Sequence, residues 1–415
     1  MENIALYPLH EMHRFSMAPM RYAAHMTKHF HANPMSPLSY TDYGRKVLAG
    51  MELVERMTRR YGKPEFGITE TEINGEKVKV HDEVVQTRDF CHLRHFVRHT
   101  KDKAVANQPK ILLVAPMSGH HATLLRGTVE GLLPHADVYI TDWVDARETP
   151  IHMGDFDLDD YISYLIDFIT FLGDDVHTMA VCQPSVPLYA AVALMSAYKD
   201  PCTPLSMTLM GGPIDTRANP TQVNQLAMDK PLGWFEQNVI SRVPANYPGF
   251  TRRVYPGFMQ LTGFMNMYLE RHIREHVKLF NHLVEGDGDS AESHRTFYDE
   301  YLAVADLDAA FYLQTIEKVF QKHSLPKGEF DYKGDLIKPE AITNTHILCI
   351  EGERDDISGV GQTKAALDIS TGLAASKKRY HLQESVGHYG IFNGRRYRKH
   401  IVPVIIDHMK KAAKK

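Results

Sequence analysis

Beyond Pro109 the chain alternates short, unbroken apolar runs with helical stretches, and no other feature limits the possible folds so strongly. Ile111-Leu112-Leu113-Val114-Ala115, Val138-Tyr139-Ile140, Met179-Ala180-Val181, Met207-Thr208-Leu209-Met210 and Ile347-Leu348-Cys349-Ile350 are the runs. They are too short for buried helices and lack the polar alternation of a strand with one wet face. Strands of this kind are covered on both sides, which requires a mostly parallel sheet joined by crossover helices. In residues 161–172, Ile162, Leu165, Ile166, Ile169 and Leu172 share one helical face. An Ala-rich stretch, 186–198, and a terminal stretch from Tyr397 with Ile401, Val404, Ile405 and Met409 are two further helices. The fold class is α/β.

The rest of the chain decorates this core. Residues 1–62 are rich in Met, His, Leu and Tyr at helical spacings and read as a helical extension. From Phe66 to Val97 strand-like runs surround the turn dipeptide Asn74-Gly75, so an antiparallel ribbon is expected to lead into the sheet. Between Asp215 and Pro339 the strand rhythm stops for about 125 residues, too long for a structureless loop, and a mostly helical insertion is predicted. The expected division is 1–62 extension, 63–215 first part of the core, 216–340 insertion or lid, and 341–415 second part of the core. The insertion repeats Tyr-Pro-Gly-Phe at 247–250 and 255–258. These aromatic turns either plug the base of the insertion or, through Phe250 and Phe258, offer a substrate surface.

Several function classes are excluded early. With 47 Lys+Arg against 51 Asp+Glu and 43% hydrophobic residues, the chain is too apolar for disorder and lacks the cationic excess that would hold nucleic acid. No apolar run approaches the roughly 18 residues of a membrane span. The four cysteines are scattered, the nearest pair being Cys182 and Cys202, so neither a disulfide framework nor a CxxC site is expected. The first residues show no basic, then apolar, signal-peptide pattern, and a cytoplasmic protein with reduced thiols is expected. His25 and His29 have the i, i+4 spacing of helical metal ligands but no Glu in the His-Glu-x-x-His pattern, and His120 and His121 are adjacent, which disfavours joint ligation. No metal and no cofactor are expected.

The chemistry concentrates at three strand ends. Met179-Ala180-Val181 runs into Cys182-Gln183-Pro184 and a helix begins at once, the layout of a nucleophile elbow. Ala180 supplies the small residue two positions before the nucleophile; Pro184 replaces the usual glycine two positions after it, tolerable in a first helical turn. The strand ending at Ile350 is followed by Glu351-Gly352-Glu353-Arg354-Asp355-Asp356, and a later Gly-flanked loop carries His388. Nucleophile, acid, histidine is the chain order of α/β hydrolases. Cys182 is therefore the candidate nucleophile, His388 the base and Asp355 the acid, with Asp356 as the alternative. An oxyanion hole needs one amide from Gln183 and one from the loop after the first core strand, where Met117 is in position and Ser118 next. Ser185 falls inside the helix, and Cys91, Cys202 and Cys349 read as structural.

The residues Ala115-Pro116-Met117-Ser118-Gly119-His120-His121-Ala122-Thr123-Leu124-Leu125-Arg126, Thr141-Asp142-Trp143, Cys182-Gln183-Pro184 and Met210-Gly211-Gly212-Pro213-Ile214-Asp215 resemble the intracellular polyhydroxyalkanoate depolymerases. Val243 to Gly249, Phe297 to Tyr301 and the Asp355 and His388 segments extend the likeness over nearly the whole chain. The resemblance implies an α/β-hydrolase fold and hydrolysis of stored poly(3-hydroxybutyrate) at cytoplasmic granules, with Cys182 as nucleophile, Asp355 as acid and His388 as base. The granule surface would be the partner. The alternatives are a synthase-like acyltransferase using CoA thioesters, against which Pro184 argues because synthases have Gly-x-Cys-x-Gly, and a catalytically silent granule-binding protein.

Overall fold

The structure, a computed structural model, describes residues 6–267 and 269–414. Nine strands build one twisted sheet: β1 (Glu70–Ile73), β2 (Glu76–Thr87), β3 (Cys91–His99), β4 (Lys110–Val114), β5 (Asp137–Trp143), β6 (Val176–Val181), β7 (Ser206–Met210), β13 (His346–Gly352) and β14 (Lys378–Gln383). Their order is β1-β2-β3-β5-β4-β6-β7-β13-β14. From β5 to β14 every neighbouring pair is parallel, whereas β1 to β3 run antiparallel and β3 joins β5 antiparallel. Every residue of β6 and β7 is buried, as their unbroken apolar runs require.

The expected ribbon is thus a continuous edge of the main sheet. Its turn at Asn74 and Gly75 has positive φ at both residues, 54° and 86°, the geometry whose twist suits a two-residue hairpin. Strand β14 supplies the third strand end, the one before His388, although it is not among the apolar runs. It lies at the opposite edge with its side chains half-buried to exposed, and so carries no apolar run to announce it. The region between Asp215 and Pro339 is mostly helical, with two small sheets the sequence does not signal: β8 (Ser241–Arg242), β9 (Arg253–Tyr255) and β10 (Leu307–Asp308) in one, β11 (Asp331–Tyr332) and β12 (Asp335–Leu336) in the other. Strands of two or three residues are too short to show a period.

Helices cover both faces. The crossover Leu158–Leu172 begins at a capping box, in which Asp157 and Asp160 satisfy each other's amides, and buries Tyr161, Leu165, Phe168 and Ile169. The helix Ser185–Ala197 is buried from Ser185 through Met195, so it is apolar all round instead of amphipathic. At the amino end, α1 (Leu6–Ser16), α2 (Ala18–Ala32) and α3 (Asp42–Thr58) form the expected helical extension. Tyr7 pins α1 by donating its hydroxyl to Asp306 Oδ2 at 2.7 Å. On α3, Glu52 and Arg56 pair with Arg295 and Asp299 of the helix Gly288–Tyr301, each at 2.6 Å.

Candidate active site

The turn after β6 is strained in a specific way. Cys182 has φ +68°, a left-handed conformation rare for a residue with a Cβ, which costs about 1–3 kcal/mol and persists only where neighbours enforce it. The neighbours are evident. The Cys182 amide donates to Met210 O at 2.7 Å, its carbonyl accepts from the Ser185 amide at 3.0 Å, and Pro184 leads directly into the helix. A Cβ on Gly212 would overlap the Ser185 hydroxyl and come within 3.1 Å of the Cys182 carbonyl, so the chain beside the elbow must lack a side chain. The strain aims Cys182 outward from the sheet into a cavity.

The partners come from the neighbouring strand ends. After β13 the chain turns, with the Asp355 amide donating to Gly352 O at 3.2 Å. Asp355 Oδ1 accepts from the amides of Ile357 and Ser358 at 2.9 and 2.8 Å. That leaves Oδ2 for His388, whose Nδ1 donates to it at 2.8 Å because a carboxylate can only accept. The neighbouring Asp356 instead lines an adjoining, more polar cavity that shares His388, Tyr389 and Phe264 with the one before Cys182. His388 and Cys182 line the same cavity, and the Cys182 sulfur acts electrostatically on the imidazole. Burial by itself lowers the basicity of this imidazole, but the Asp355 charge, then the Cys182 sulfur, and the hydrogen bond to Asp355 outweigh it, and its pKa stands well above the ordinary 6.5.

One residue that sequence reasoning passed over holds this arrangement. Glu351, the penultimate residue of β13, is fully buried, and its carboxylate accepts from the amides of Gly361, Thr363 and Lys364 at 2.8, 2.7 and 2.9 Å and from Tyr380 Oη at 2.7 Å. Thr363 in turn exchanges hydrogen bonds with Gly212, at 2.7 and 3.0 Å, beside the elbow. A charged residue in an otherwise apolar run, Cys349-Ile350-Glu351, was the available signal.

The cavity in front of Cys182 measures about 390 Å³ and is walled mainly by apolar side chains, among them Leu124, Phe235, Phe264, Phe311, Tyr312 and Phe320. Met117, Ser118 and Gln183 line it beside Cys182 and His388. Among the described residues the amides of Met117 and Gln183 have no acceptor. The Gln183 side chain is 8% exposed, and neither its oxygen nor its nitrogen has a protein partner. A buried, unpartnered amide at the floor of an apolar pocket is costly unless something else meets it.

The other singled-out residues stand elsewhere. Of the repeated turns, Tyr255 reaches the cavity wall, while Phe258 stacks on His10 at 3.8 Å between ring centres and meets Tyr7 edge-on. Tyr247 packs under Tyr7, and Phe250 is half-exposed at the surface. The plugging role therefore describes Phe258 and Tyr247, and neither Phe250 nor Phe258 lines the cavity. Ser185 opens its helix, fully buried. Cys91 and Cys349 are enclosed, and burial pushes both thiols well above their usual pKa; Cys202 is half-buried. Burial likewise lowers His120 and His121 to about 4, so both rings are neutral. His25 and His29 are exposed on α2 with rings 4.4 Å apart.

A mostly parallel sheet of this order, with Cys182, Asp355 and His388 following its strand ends, is the α/β-hydrolase fold. Residues 211–413 match the family model described as PHB de-polymerase C-terminus. No curated protein matches the sequence. Solved structures that resemble it include a putative lipase from Acinetobacter baumannii AYE, with 13% identity over 80% of this chain and 93% of that one and a TM-score of 0.43. A 2-hydroxy-6-oxo-6-phenylhexa-2,4-dienoate hydrolase from Rhodococcus sp. strain RHA1 shares 11% identity over 80% and 99%, TM-score 0.45. A thermophilic esterase from Thermogutta terrifontis shares 13% over 83% and 97%, TM-score 0.40.

Proposed function

We propose that this protein hydrolyses the ester bonds of poly(3-hydroxybutyrate) through an acyl-Cys182 intermediate. The observation that carries the reading is His388, hydrogen-bonded to Asp355, standing with Cys182 on the wall of one apolar cavity. The family match over 211–413 supports ester hydrolysis and the polyester as substrate.

Each group has a defined task. His388 accepts the thiol proton, the thiolate attacks the ester carbonyl carbon, and the carbonyl oxygen takes the electron pair facing the amides of Met117 and Gln183. Collapse breaks the C–O bond, and the imidazolium returns the proton to the departing 3-hydroxyl oxygen. His388 then removes a proton from water, which attacks the thioester; the thiolate leaves and is reprotonated, and a free carboxyl end results. Asp355 keeps the Nδ1 proton in place, so that Nε2 faces Cys182, and it stabilises the imidazolium. The Gln183 side-chain nitrogen, which has no protein partner, is offered to an ester carbonyl of the bound chain. Residues 216–340 serve as the lid over the cavity, and the protein acts in the cytoplasm on stored granules.

The test is degradation of amorphous poly(3-hydroxybutyrate) particles by wild type and Cys182→Ala, with the products identified. Wild type should release 3-hydroxybutyrate or its short oligomers and the variant none. Equal release by both would overturn the nucleophile assignment, and growth of polymer from hydroxybutyryl-CoA would overturn the direction of the reaction.

A further inference from the structure

The amino-terminal helices present a surface unlike the rest of the molecule. The chain as a whole is 24% Asp, Glu, Lys and Arg, yet between Leu6 and Thr41 not one such side chain is exposed. The four present are half-buried and turned to partners in the protein: Arg14 to Glu11 at 3.4 Å, Glu11 also to the Tyr247 hydroxyl at 3.1 Å, Arg21 to the Thr58 carbonyl, and Lys28 to Glu55. What faces solvent instead is largely apolar, with the rings of His13, His25 and His29 also exposed. On α1, Leu9, Met12 and Phe15 are 58%, 65% and 82% exposed; on α2, Tyr22, Met26 and Phe30, spaced four residues apart on one face, are 67%, 51% and 57% exposed. Single exposed apolar residues need no explanation, but two consecutive helices that each expose three of them, with no exposed Asp, Glu, Lys or Arg between, mark a surface made to be covered.

The charge pattern selects the partner. A helix that lies on an anionic membrane carries Lys and Arg at its exposed polar edge to meet the headgroups, and this face shows none. An aliphatic polyester is apolar and, along its chain, uncharged, so it matches both properties. The position also fits. The helix Gly257–Met267 turns Phe258 toward Tyr7 and His10 of α1, while its Gln260, Gly263 and Phe264 line the catalytic cavity. The docking helix and the cavity therefore share one intervening helix, roughly 10 Å thick.

We propose that the exposed face of α1 and α2 is the surface by which the protein adsorbs to solid polyester; this rests on the polyester-hydrolase reading. Adsorption is separable from chemistry, so it is tested in the Cys182→Ala background, where particles persist. Full-length Cys182→Ala and the same protein carrying Phe15→Asp, Met26→Asp and Phe30→Asp are sedimented with amorphous poly(3-hydroxybutyrate) particles, phosphatidylcholine vesicles and phosphatidylglycerol vesicles. Circular dichroism and thermal unfolding confirm that the variant is folded, as the exposed positions predict. The expected result is preferential adsorption to polyester, weakened roughly tenfold or more by the three substitutions. Unchanged adsorption would overturn the proposal, as would binding to phosphatidylglycerol vesicles equal to or stronger than binding to polyester. A dimer that the substitutions dissociate while adsorption persists would identify a self-association face and overturn it too. With Cys182 intact, loss of soluble-ester turnover in the triple variant would show that the face acts on the site and not on the surface. Failure of the nucleophile assignment would appear as turnover without Cys182 and would leave the adsorption comparison intact.

Discussion

His388 and Asp355, 33 residues apart in the chain, meet across 2.8 Å in the interior, the histidine donating from Nδ1. The imidazole is enclosed, so this single carboxylate, together with the Cys182 sulfur, decides its protonation. The pair gains stability when the imidazole is charged. Because the folded pKa is raised above 6.5, that gain is full below pH 6.5 and is lost as the pH climbs through the higher folded value.

Asp355→Asn removes the charge while keeping the shape. The His388 pKa should fall, and the inflection of the kcat/KM profile that reports it should move to lower pH. A pH–rate profile on a soluble hydroxybutyrate oligomer ester measures this. An unmoved inflection would mean that another group sets it.

Cys182→Ser keeps a nucleophilic atom of smaller radius and much higher pKa. Turnover should drop by about 10²-fold or more, since His388 must then do all the activation. Brief incubation of wild type with substrate, followed by acid quench and mass analysis, should reveal one hydroxybutyryl group on Cys182; none on any other cysteine is expected.

Glu351→Gln tests the buried carboxylate that organises the loop after β13. Its four donors lose a charged acceptor, and the orphaned amides should cost about 1–3 kcal/mol in denaturant unfolding. Asp355 is carried on the same loop, so kcat should also fall, with KM changed less. Glu351→Asp, which retains the charge but shortens the reach, should recover part of both.

Gly211→Ala probes the space behind the histidine. Gly211 has φ +57°, and an added Cβ would come within 3.0 Å of His388 Cε1 and 2.8 Å of Ile391 Cδ1. The backbone penalty is about 1 kcal/mol, but the displaced ring should lower kcat by roughly tenfold or more. A loss of stability with unchanged kcat would show that the ring is not held by this contact.

Gln183→Leu removes the orphaned side-chain amide while keeping its backbone donor. Stability should be unchanged or improved, because an unpartnered buried polar group is lost. KM for oligomeric esters should rise several-fold, with kcat less affected.

How far the chain announces itself follows from where each feature gets its energy. The central strands are legible because burial on both faces demands unbroken apolar runs, and β4, β5, β6, β7 and β13 appear where such runs stand. The elbow is legible because Cys182 must sit between a strand and a helix, and the order of Cys182, Asp355 and His388 along the chain follows from the sheet's connectivity. Other features depend on contacts between distant segments, which leave no local period. Strand β14 exists because β13 offers it an edge. Asp355, and not Asp356, meets His388 because its other oxygen is anchored by the amides of Ile357 and Ser358, a loop geometry that no spacing rule encodes. Phe258 turned out to be a plug because Tyr7 and His10, almost 250 residues earlier, pack on it. The same holds for the surface. Met, His, Leu and Tyr at helical spacings in residues 1–62 read as a helical extension and no more, and only the packing of α1 and α2 on their neighbours shows that the charges point inward and the apolar side chains to water. A helix has one apolar stripe in its sequence whether it faces a core or a partner, and which of the two it meets is settled by what the rest of the chain leaves uncovered.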